Sequence, residues 1–252
     1  AGDDNIAIGY GALQDTTASS NIAIGSSAMI QHTTGARNIA IGHAAMDDTD
    51  AGSNSLGSSD NIFIGYNAGG GTWADVASIQ NVVIGNNSAD ASLSGANYNV
   101  GMGTNVYGAL TQGDANSAFG HGSLTALTTG GSNVAVGNAA GSTMTGTSNT
   151  VLIGSGAGNA INSTDANGTV AIGYEASYNL TSGANQVSIG YQAGKALTTA
   201  ANSTFIGYQA GLVHTGGNNI AIGDRAFYDT DAGASSLASV SYTHLTLPTI
   251  AK

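Results

Sequence analysis

The sequence predicts an all-β chain wound into a parallel β-solenoid, or β-roll, of about thirteen coils. Three observations predict it. One five-residue phrase (Asn, apolar, small, apolar, Gly) recurs along almost the whole chain of 252 residues. The recurrence interval is short, about 17 residues in most copies. Within the phrase the apolar residues alternate with a small one, which is strand period and not helix period.

The copies end at Gly9, Gly25, Gly42, Gly65, Gly85, Gly101, Gly120, Gly137, Gly154, Gly173, Gly190, Gly207 and Gly223. The phrase opens on Asn5, Asn21, Asn38, Asn61, Asn81, Asn97, Asn116, Asn133 and Asn219. Stacked in register, such amides hydrogen-bond up and down the rod as in the Asn ladders of cross-β structures. The strand follows: Ile6, Ile22, Ile39, Ile62, Val82 and their successors are expected to line one buried ladder. The terminal glycine ends the strand at a bend where no side chain fits. Three residues later comes Ala in ten copies, from Ala12 to Ala226. A second apolar position follows at Leu127, Met144, Ile161, Leu180 and Leu197, and a polar turn such as Thr33-Thr34-Gly35 closes the coil. Strands about 4.8 Å apart make a rod of roughly 60 Å.

The middle of each strand is expected to point away from the coil interior. It holds Ala7, Ala23, Ala40, Phe63, Ala118, Ala135, Ala171, Phe205 and Ala221 among others, and is apolar in eleven of thirteen copies. A strand apolar on both faces is normally covered on both faces, and an uncovered apolar stripe of that length is unusual on a monomer. These residues are therefore the expected interface with another copy of the chain.

Composition narrows the function. With Lys+Arg 4 against Asp+Glu 15 and a net charge of -11, the chain cannot neutralise a phosphate backbone or hold an anionic membrane surface. No apolar run reaches the ~18 residues of a membrane span, so no membrane insertion of this segment is expected. Cysteine is absent, which excludes disulfides, thiolate metal sites and cysteine nucleophiles. Gly is 39 of 252, about twice the usual share, and strand ends and turns account for most of it. No P-loop or nucleophile elbow is present, and no enzyme activity is expected.

The phrases Asn5-Ile-Ala-Ile-Gly9-Tyr10, Asn133-Val-Ala-Val-Gly137 and Gln186-Val-Ser-Ile-Gly190 resemble the head repeats of YadA-like trimeric autotransporter adhesins and related repeats of bacteriophage tail fibres. The resemblance covers residues 1–239. It implies a left-handed β-roll assembled as a homotrimer, an extracellular place on a cell surface or virion, and attachment to a cell-surface glycan or protein receptor. The repeats here are longer and more variable than is usual for adhesin heads. Residues 240–252, with Pro248 as the one proline, resemble a translated sequencing adapter in the run Val240 to Thr249 and are set apart from the repeat domain. The parallel between Asp229-Thr-Asp-Ala-Gly233 and Asp48-Thr-Asp-Ala-Gly52 places the next strand just past Ser239, and the chain reads as a segment of a longer fibre.

Candidate contact residues are the Tyr row after the strand glycine, Tyr10, Tyr66, Tyr174, Tyr191 and Tyr208, whose rings either stack on one another or meet sugars and partners. His43 and His121 share that row. Trp73, the only Trp, lies in the insertion after Gly69 and is either a protruding contact or a plug over a coil edge. No cofactor is expected except calcium at oxygen-rich turns, with Asp48 and Asp50, and Asp229 and Asp231, as partial ligand sets. An ice-binding solenoid or a polysaccharide-degrading one is the alternative. The first would need an outward Thr-x-Thr array, whereas the Thr pairs here are adjacent and lie in turns; the second would need a carboxylate cluster on one face.

Overall fold

The computed structural model describes residues 2–49, 57–73, 76–228 and 236–239. They form a β-solenoid whose strands make one parallel, 14-stranded sheet in strict chain order. The strands are β1 (Ile6–Ile8), β2 (Ile22–Ile24), β3 (Ile39–Ile41), β4 (Ile62–Ile64), β5 (Val82–Ile84), β6 (Val100–Met102) and β7 (Ser117–Phe119). They continue with β8 (Val134–Val136), β9 (Val151–Ile153), β10 (Val170–Ile172), β11 (Val187–Ile189), β12 (Thr204–Ile206), β13 (Ile220–Ile222) and β14 (Leu237–Ser239). Each strand pairs residue for residue with the next, as in Val134↔Val151, Ala135↔Leu152 and Val136↔Ile153.

Hydrogen bonds between coils are not confined to the sheet. Met29 N–H donates to Ala45 O at 3.0 Å and Gln31 N–H to Asp47 O at 2.9 Å, so the turns stack as the strands do. The predicted Asn ladder runs through the buried interior. Asn116 Nδ2 donates to Asn99 Oδ1 at 3.0 Å and to Gly130 O at 2.9 Å, and Asn133 Nδ2 donates to Asn116 Oδ1 at 3.0 Å. Thr150 continues the ladder, its Oγ1 donating to Asn133 Oδ1 at 2.8 Å.

Two boundaries differ from the sequence expectation. The sixth phrase is Asn99 to Gly103, not Asn97 to Gly101. Asn99 joins the ladder on Asn81 at 3.0 Å, and Val100 and Met102 stand opposite Val82 and Ile84. Gly101 imitated a terminal glycine but occupies the strand middle, while Asn97 sits in a turn, bonding Gly95 O. The last strand is Leu237–Ser239 itself, with Ser236 N–H on Asn219 Oδ1 at 2.7 Å. Residues 240–252 lie outside the described residues.

The larger correction concerns which side of the strand is inside. Ala23, Ala40, Phe63, Ala118, Ala135, Ala171, Phe205 and Ala221 are buried within the chain's own coils and form no face between copies. Ala7 is exposed in the first strand, yet it stands in the same column, paired with Ala23. The flanking Ile and Val residues, expected inside, instead face outward and are half-buried or exposed.

The physical reason is the width of the coil. Its interior accepts one small residue per strand, or one large residue if the opposite wall yields. In several coils the residue six positions after the strand middle supplies that compensation. Phe63 faces Gly69 and Phe205 faces Gly211, while Ala23 and Ala40 share the buried core with Met29 and Met46. A Cβ on Gly69 would lie 2.7 Å from the Phe63 ring, and one on Gly211 would lie 2.6 Å from the Phe205 ring. At Gly101 the relation inverts, and Tyr107 fills the space with its hydroxyl donating to Val100 O at 3.0 Å. Interiors tolerate little void and little overlap, so size on one wall dictates size on the other.

The strand-ending glycines are required by close approach. Gly137 has φ +137°, and a Cβ there would stand 2.5 Å from Gly154 O in the next coil.

Candidate functional site

The outer surface carries two continuous features. The first is the outward face of the sheet. Its two columns are the first and last residues of each strand, mostly Ile or Val, with Met102, Phe119 and Leu237 as other apolar residues and Ser117, Thr204 and Ser239 as polar ones. Val136 and Ile153 are each 37% exposed in the middle of the rod, and Ile222 is 47% exposed. Thirteen strand spacings give this strip a length of about 60 Å, well beyond an isolated exposed apolar residue.

The second feature is the row immediately after the strand glycine. Tyr174, Tyr191 and Tyr208 stack in sequence, with centroids 5.2 and 5.3 Å apart and planes within 18° and 12°. Arg225 lies over the far face of Tyr208 at 5.7 Å. Tyr66 stacks on His43 at 5.4 Å, in a separate pair, and Tyr10 stands exposed at the start of the row. The rings in the ladder therefore spend most of their faces on each other, leaving hydroxyls and edges outward. Only the end of a ladder offers an open ring face.

A parallel row, one residue further on, was not recognised in the sequence. Gln209 Nε2 donates to Gln192 Oε1 at 3.0 Å, and Gln192 Nε2 to Glu175 Oε2 at 2.8 Å. Lys195 Nζ donates to the same Glu175 oxygen at 2.6 Å and stands 5.9 Å over the Tyr178 ring. Lys195 and then Gln192 hold the Glu175 carboxyl below its ordinary range, and Glu175 in turn raises the Tyr174 phenol. The signal was present as Tyr-Glu-Ala-Ser-Tyr178 beside Tyr-Gln-Ala-Gly-Lys195, read at fixed offsets from the glycine.

Trp73 is not a contact residue. It is buried, edge-on to Phe63 at 5.5 Å, with its indole N–H donating to Gly69 O at 3.0 Å. Gly69 leaves the coil wall open for the Phe63 ring, which a Cβ there would meet at 2.7 Å. Asp48 is half-buried, and its Oδ2 accepts from Thr72 Oγ1 at 2.6 Å. Asp50, Asp229 and Asp231 lie outside the described residues. Among the described residues, no group of three or more His, Cys, Asp or Glu side chains is arranged to hold a metal ion. Among them too, no helix is long and apolar enough to cross a membrane. His121 and Asn138 share the outer row and contact each other at 3.2 Å.

No protein-family model, curated protein or solved structure matches the chain.

Proposed function

We propose that this solenoid is the rod-like segment of a non-enzymatic attachment fibre, displayed outside the cell or on a virion and assembled as a homotrimer. The observation that carries the reading is the outward sheet face. It is apolar on most strands, interrupted at Ser117 and Thr204, and water contact along it is unfavourable by roughly 25 cal/mol for each Å2 of apolar surface left uncovered. A strip built from one three-residue strand per coil at a constant spacing suits a second copy of itself better than a differently spaced partner. Closing three copies about one axis covers every strip and leaves no sticky edge. The resemblance of the repeated phrase to adhesin-head and tail-fibre repeats fits this reading.

The mechanism is geometric. In-register coils hold the outer rows at fixed spacing, and three rods multiply weak contacts to a cell-surface glycan or protein by valency. Sedimentation equilibrium of the chain tests the assembly: the expected species has three times the 24.6 kDa of one chain. Ile153→Asp places a carboxylate in the strip and is expected to give monomers with unchanged circular dichroism. A wild-type chain that stays monomeric at micromolar concentration overturns the assembly. Retention of fluorescently labelled trimer on bacterial or animal cells tests attachment, and its absence on every surface tried overturns that part.

A further inference from the structure

The Tyr ladder has a missing rung. Tyr174, Tyr191 and Tyr208 occupy the outer row on three successive coils, and the next coil toward the N-terminus carries Ser155 followed by Gly156. One coil further stand Asn138 and Ala139. The short residues leave an open recess of about 200 Å3 over the β9 coil. Its floor is Ser155 and Gly156, one wall is Tyr174, Glu175 and Tyr178, and the other is Asn138 with Asn159.

The dimensions follow from the rod. Two coil spacings separate the walls, close to 9.6 Å at about 4.8 Å each. The stacked Tyr rings show that one six-membered ring fits per 5.2 Å step in this row. The recess therefore has room for one further ring lying parallel to Tyr174. Among the described residues, no aromatic ring covers the Tyr174 face turned toward Ser155, unlike the face covered by Tyr191.

Its chemistry is mixed in a specific way. The Tyr174 ring offers an electron-rich face to weakly positive C–H groups. Asn138, Asn159, Ser155 and Glu175 surround it with donors and acceptors. The walls are fixed before any ligand arrives: Asn159 Nδ2 donates to Ser142 Oγ at 2.7 Å, and Glu175 is held by Lys195 at 2.6 Å. Tyr178 packs directly over Gly156, where a Cβ would come within 3.1 Å of its ring. A flat apolar ring would leave these polar groups unpaired, at a cost. A pyranose, apolar on its C–H face and hydroxylated at its rim, meets both requirements.

We propose that the recess over Ser155 and Gly156 binds a single pyranose unit of a glycan, its C–H face stacked on Tyr174 in the place of the absent ladder ring. The proposal deepens the attachment reading by assigning a ligand class to the outer row. Glu175 is the one carboxylate in the recess, so the paired carboxylates of glycoside hydrolysis are not assembled there, and the sugar is held without being cleaved.

The test is titration of the whole chain with the methyl glycosides of glucose, galactose, mannose and N-acetylglucosamine, followed by saturation-transfer NMR. At least one is expected to bind in the millimolar range, weak alone and amplified by repetition along an assembled fibre. Ser155→Tyr restores the missing rung; it is expected to keep the fold and to weaken binding at least tenfold. Tyr98→Ala, at an exposed tyrosine off that row, is expected to leave binding unchanged. No saturation transfer from any of the four, or equal binding by Ser155→Tyr, overturns the recess. Cell retention by the Ser155→Tyr protein separates the two claims. If it persists while sugar binding is lost, attachment stands by another surface. If wild type binds sugar but is not retained on cells, the recess stands and the attachment reading falls.

Discussion

Replacing Asn116 by Ala cuts the interior ladder at its centre, and its cost follows from the bonds there. Asn116 is fully buried. Its Nδ2 donates to Asn99 Oδ1 and Gly130 O, and its Oδ1 accepts from Asn133 N and Nδ2, both at 3.0 Å. After truncation Asn99 Oδ1 keeps the backbone N–H of residue 116, and Asn133 Nδ2 keeps Thr147 O at 2.8 Å. Gly130 O and Asn133 N–H lose their side-chain partners. Two stranded buried groups at about 1–3 kcal/mol each give a loss of about 2–6 kcal/mol. That is a large share of the ~5–15 kcal/mol expected for a domain. In a solenoid each coil couples only to its neighbours, so the damage falls on one junction. Guanidinium unfolding followed by far-UV circular dichroism is expected to show a lower midpoint and a split transition, the two halves melting apart. Asn116→Thr is expected to cost less, because Thr150 shows that a hydroxyl can still donate down the stack at 2.8 Å. A loss below about 1 kcal/mol with a single unchanged transition would refute the view that the amide ladder ties the coils together.

Two further outcomes can be checked. Phe205→Ala leaves Gly211 facing a void, since a Cβ at Gly211 would lie 2.6 Å from that ring; a loss of about 3–5 kcal/mol in urea unfolding is expected, and a loss under ~1 kcal/mol would show that the coil collapses. Burial, and then the neighbouring Asp48, raises the Asp47 carboxyl above its ordinary value. Its folded state thus binds a proton more tightly than the unfolded chain, so this group favours folding in acid and loses that contribution as pH rises through the folded-state value. Asp47→Asn keeps the neutral form and is expected to raise Tm at neutral pH, the gain vanishing below the ordinary Asp range of about 3.9; a gain independent of pH would contradict this.

Much of the architecture was legible because the signal repeats. The Asn, the alternating strand and the terminal glycine sit at recurring intervals, and the structure places them in register from β1 to β14. The sixth phrase was misread by two residues because Gly101 imitates the terminal glycine, and only the stack of Asn99 on Asn81 resolves it. The outer Tyr row was visible, but not the division of its rings into a stacked trio, a His43–Tyr66 pair and an exposed Tyr10. The Glu175 and Gln192 row beside it is not legible in the sequence, since its pairing depends on which coils are adjacent.

The sequence by itself determined the coil, its strand, its turn and its interior amide, because each is set by local spacing that stacking repeats. It could not determine which face of the strand lies inside. Period two separates the residues of a strand into two sets, and here both sets are apolar. The choice is made across the coil: a narrow interior admits Gly101 against Tyr107 or Phe205 against Gly211, but not Ile on every strand. That compensation between opposite walls exists only once the chain has closed on itself. It sends the Ile and Val columns outward and makes the sheet face, not the Ala stripe, the surface that calls for a partner.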